Sequence, residues 1–155
     1  MFISEDMIDE VVLDLEAADF EREVSILGEE QPVLLGYVLS EDFELLTHEE
    51  REWLLYLVLV IYKATEKGYE KIDPLSKNDL EAAEEANWAR LETVTAKRFR
   101  DRMTPFFEGY PQEDLLAFVE DSLTEDEEDT DNFLTKEGRE PMFVALKSVI
   151  DALTS

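Results

Sequence analysis

One histidine, His48, and an abundance of carboxylates are what this chain offers to acid–base or metal chemistry. His48 is the second residue of Thr47-His48-Glu49-Glu50, which has capping-box spacing: a Thr followed three residues later by Glu. A metal site or a general base would want a second His, a Cys or a strictly spaced acid beside it, and none is present. Glu44 and His48 stand four residues apart, but Thr47 argues for a helix start between them. His48 is therefore read as a partly exposed residue in a helix's first turn.

Carboxylates are so frequent that a pair can be found anywhere, so finding one carries little weight. Di-iron bundles use Glu-x-x-His twice, and this chain has it nowhere. Glu81, Glu84 and Glu85, brought near Glu49 or Glu52, would make a divalent-cation set, but charged helical surface is the favoured reading. Asp126-Glu127-Glu128-Asp129-Thr130-Asp131-Asn132 has calcium-like content without the glycine that turns a calcium loop. With no cysteine, thiolate metal sites, disulfides and thiol chemistry are excluded. No phosphate-cradling glycine motif and no nucleophile elbow occurs. No catalytic residue, metal or cofactor is expected, and an enzyme is the disfavoured reading.

Two constellations remain. Lys97-Arg98-Phe99-Arg100-Asp101-Arg102 is a basic knot with an interleaved aromatic. As an interleaved basic–aromatic patch it could contact phosphate, but the favoured reading is helix-terminal cations that complement the helix dipole and pair with neighbouring acids. In an oligomer it could also meet an acidic end of another subunit. Phe106, Phe107 and Tyr110 form an aromatic turn, read either as a lid on the core or as interface anchors. Phe106, Phe107, Tyr110, Arg98, Arg100 and Arg102 are thus the candidate protein-interaction residues.

Charge bounds the class of partner. Fourteen basic against 40 acidic residues give a net charge of −26. Residues 1–62 hold 17 acids and two bases, residues 63–102 nine of each, and residues 103–155 14 acids and three bases. Such a surface repels nucleic acid and anionic membranes and attracts basic proteins. The N-terminus lacks a basic start and an apolar run, so no secretory signal is expected and a cytoplasmic location is.

The elements that must position these residues are helices. Ser4 caps an amphipathic pattern through Ile8, Val11, Val12 and Leu15, which continues past Phe20, Val24 and Leu27 to a stop at Gly28. Residues 33–39 fit a short buried strand or a helix begun by Pro32, and helix is favoured. Ser40 resembles a further start leading to Leu45 and Leu46. From about residue 48 to 67 no Gly or Pro intervenes, and an apolar run from Trp53 to Tyr62 covers every helical face, marking a central buried helix. Ser76 caps a helix carrying Leu80, Ala83, Trp88, Leu91, Val94 and Phe99, ending before Thr104-Pro105. Pro111 opens a helix with Leu115, Phe118, Val119 and Leu123 on one face. Thr135 or Glu140 starts the last helix, in which Pro141 must lie in the first turn or kink the ladder.

The expectation is therefore an all-α single domain over residues 1–155, with about six helices around the 48–67 helix. Its best-supported function is a non-enzymatic acidic module that binds a basic protein surface and can form a homo-oligomer. A nucleic-acid mimic or immunity-type inhibitor and a carboxylate-based metal-binding protein or enzyme are the alternatives. General salt adaptation competes with all of them.

Overall fold

Thr47 begins the longest helix by the reciprocal bonding its sequence foretells. The Glu50 amide donates to the Thr47 hydroxyl at 3.1 Å, and the Thr47 amide donates to the Glu50 carboxylate at 2.9 Å. In the computed structural model, which describes residues 1–124 and 133–155, the helix that follows runs His48–Gly68. In chain order the α-helices are α1 (Glu5–Glu16), α2 (Phe20–Glu30), α3 (Pro32–Val38), α4 (His48–Gly68), α5 (Lys77–Glu92), α6 (Phe99–Met103), α7 (Glu113–Leu123) and α8 (Lys136–Thr154). The described residues contain no strand, so the protein is all-α, and residues 33–39 take the helical form.

The centre is shared by two helices. On α4, Leu57 through Tyr62 are buried in succession, as the apolar run requires. On α8, every residue from Met142 to Ile150 is buried, including Lys147 and Ser148. Each fully buried Leu, Ile, Val or Phe contributes about 1.5–3 kcal/mol. The faces of α4, α5 and α7 close on α8, while α1 covers α4 and α7.

Eight described helices replace the expected six because two long patterns each break once. The first does not run on to Gly28. It stops after Glu16, and Asp19 restarts it by accepting a bond from the Arg22 amide. Gly28 lies inside α2, where a Cβ would stand 2.9 Å from Leu35 Cδ2, so it serves close packing of α3 and not a stop. The second pattern ends at Glu92 and does not run on to the residues before Thr104. Thr93, Val94 and Thr95 are β-branched, which lowers helix propensity. Arg102 donates to the carbonyls of Val94 at 3.2 Å and Ala96 at 2.9 Å, satisfying backbone that leaves the helix. Val94 and Phe99 are therefore not on α5.

Smaller differences follow the same logic. Glu41–Phe43 is a single 3-10 turn and does not extend through Leu45. Pro111 precedes α7 by two residues, and Gln112 occupies the cap position. Thr135 caps α8, so Pro141 falls at the sixth residue, beyond the first turn, and withholds one backbone donor from the ladder.

Two buried glutamines tie extended segments to the helices. Gln31 donates to the Asp73 carbonyl at 3.0 Å and accepts from the Leu75 amide at 2.8 Å, fixing the α4–α5 connection. Gln112 accepts from the Ile3 amide at 2.9 Å and donates to the Met1 carbonyl at 2.6 Å, fixing the segment before α1. No helix among the described residues is long and apolar enough to cross a membrane.

Candidate functional site

The knot residues come together in one groove. Arg100 and Arg102 on α6, and Arg98 at its N-cap, line a concavity of about 760 Å³ with Lys97, and with Lys136 and Arg139 from the first turn of α8. Arg100 bridges to α7 through Glu120 at 3.3 Å and Asp121 at 3.2 Å. Arg102 bridges to Glu140 on α8 while it also holds the Val94 and Ala96 carbonyls. Arg139 lies over the Phe99 ring at 5.2 Å. Two of the three candidate arginines thus bind the short α6 to its neighbours, and Arg98 stands exposed at the start of α6. Burial raises the Glu120 carboxyl above its ordinary value; the Arg100 charge opposes this and Asp121 adds to it.

The aromatic turn belongs to a different part of the surface. Phe106 is buried, its ring 5.3 Å from Phe143, while Phe107 and Tyr110 are half-buried against the core. Tyr110 donates to Asp151 at 2.6 Å. Burial, then the charge and hydrogen bond of Asp151, push the Tyr110 phenol up, so it stays a donor. Behind it lies a polar network missed in the sequence. The Lys147 ammonium donates to Asn87 Oδ1 at 2.9 Å and pairs with Asp151 at 3.0 Å, 4.6 Å from the Tyr110 ring centre. Asn87 donates in turn to Ser148 and Asp151, both at 3.0 Å. The available signal was Lys147 and Asp151 four residues apart on the face of an otherwise apolar helix. Their arrangement locks α5, α8 and the aromatic turn together.

His48 is exposed and pairs with Glu52 at 2.9 Å on its own helix. Glu84 accepts from the Tyr37 phenol at 2.7 Å and from Trp88 Nε1 at 3.3 Å, so it is engaged between α3 and α5. Among the described residues no group of three or more His, Cys, Asp or Glu is arranged to hold a metal ion. The Asp126–Asn132 run lies outside the described residues.

The acids and bases are distributed unequally over the fold. Lys63 pairs with Glu23, Lys67 with Glu10 and Asp14, and Lys77 with Glu81. Arg51 donates to the carbonyls of Phe43 and Glu44, and Arg90 to that of Pro105. Asp6, Asp9, Glu10, Asp14 and Glu16 of α1 are all exposed. Searched against models of protein families, curated proteins and solved structures, the chain matches none.

Proposed function

We propose that this chain is a non-enzymatic acidic interaction module that binds a basic surface of another protein. The supporting observation is how its ionisable groups are used. Several cations lie between elements, where they bind α6 to α7 and α8, α2 to α4 and, through Glu10 and Asp14, α1 to α4, while Asp6, Asp9 and Glu16 of α1 are exposed to solvent. A field of one sign over a rigid helical surface steers oppositely charged partners and excludes nucleic acid.

The test is affinity capture on the immobilised chain at low and at high salt, with a charge-reversed Asp9→Lys, Glu16→Lys chain beside it. The reading expects basic proteins that are released by salt and recovered more weakly by the reversed chain. Neutral partners retained at high salt, and equally by both chains, would remove it.

A further inference from the structure

Among the described residues, nothing packs where a side chain at Gly36 would stand. A Cβ at Gly28 would press on the Leu35 side-chain methyl at 2.9 Å, and one at Gly138 would meet the buried Glu50 carboxylate at 2.1 Å, so both lie at close approaches. A Cβ at Gly36 would meet nothing within 4 Å, and its φ is not in the left-handed region. A glycine inside a helix costs about 0.5–1 kcal/mol relative to alanine. Here that cost leaves an open surface in the middle of α3.

The opening forms part of a groove of about 370 Å³ between α3 and α5. Val33, Tyr37 and Leu80 give it an apolar floor, and Tyr37 is held there by its bond to Glu84 and its edge contact with Phe43 at 5.4 Å. Asp42, Glu81 and Glu84 line the same groove, opposed among the described residues by one cation, Lys77, whose pairing with Glu81 at 3.7 Å is solvent-exposed and hence weak. Ser40 also lines this groove, its Oγ buried and without a hydrogen-bond partner among the described residues. An apolar floor and an acidic rim meet where the helix backbone is uncovered.

We infer that this groove receives a short basic amphipathic segment of the partner protein, laid across Gly36 with an apolar side chain between Val33, Tyr37 and Leu80. Its Lys or Arg residues lie against Asp42, Glu81 and Glu84, and its backbone passes close to α3 because position 36 carries no side chain. The inference rests on the acidic-module reading and names the surface that module uses.

Selection from a displayed library of random short peptides, using the full chain as bait, followed by affinity measurement on purified peptides, tests it. Selected peptides are expected to combine Lys or Arg with Leu, Ile or Val. They should bind Gly36→Phe, which fills the groove, and Glu81→Lys, which reverses its rim, at least roughly tenfold more weakly than wild type. Glu81→Lys alters only an exposed side chain, so it decides the matter if Gly36→Phe does not fold. Basic peptides that bind both variants as tightly as wild type would overturn the groove and leave the acidic module standing with another contact surface. Selection of neutral or acidic peptides alone would overturn both.

Discussion

Glu50 shows how much a single buried carboxylate can organise. It is fully buried, and beyond its role in the α4 capping box it accepts from the Thr135 amide and hydroxyl, each at 3.0 Å. One side chain thus joins the starts of α4 and α8, the two helices that share the core. Gly138 is a consequence, since a Cβ there would collide with the Glu50 carboxylate and crowd the Thr135 hydroxyl. Gly138→Ala is expected to lower unfolding free energy by about 1–3 kcal/mol, the range for overpacking a tight site. Glu50→Ala, which strands buried donors, is expected to cost about 3 kcal/mol or more. Urea denaturation measures both; a wild-type midpoint for Gly138→Ala would show that Glu50 is not held where the geometry puts it. In the sequence the capping box was legible, because both its partners lie within four residues. The Thr135 contact was not, because it joins residues 85 apart and leaves no local pattern.

Helices were legible wherever their cause was local. Ser4, Thr47, Ser76 and Thr135 each accept a bond from the start of the helix they precede. The α5–α6 break was hidden because what stabilises it, Arg102 on the Val94 and Ala96 carbonyls, is tertiary. The six candidate interaction residues lie in two places: the arginines line a basic groove, and the aromatics belong to a turn closed by the Lys147 network. At this scale Pro141 is a test. It withholds a donor inside α8, so Pro141→Ala is expected to raise stability by about 1–3 kcal/mol, read as a higher melting temperature. A lower melting temperature would mean that the pyrrolidine's packing outweighs the restored hydrogen bond.

A net charge of −26 on one domain sets its response to solution conditions. Self-repulsion opposes the folded state, so added salt is expected to raise the melting temperature. Acid acts in the same direction. The folded Glu120 carboxyl lies above its ordinary value, through burial and then the competing charges of Arg100 and Asp121. A carboxyl whose folded pKa exceeds its unfolded one holds its proton more tightly in the folded chain. Its contribution to stability is therefore greatest below the ordinary glutamate range and is lost as pH rises through the raised value. Acidification from neutrality toward about pH 5 should raise the melting temperature, and Glu120→Gln should diminish that rise. A melting temperature that falls over this interval would contradict both statements.

The same charge carries the proposed function, and its clearest measure is affinity against ionic strength. Isothermal titration of the purified chain with a captured partner, repeated from low to high salt, is expected to give dissociation constants that rise steeply with salt. The weakening should be smaller for the Asp9→Lys, Glu16→Lys chain, which presents less negative charge. An affinity indifferent to salt, or unchanged by that charge reversal, would contradict an acidic module that recognises its partner by charge.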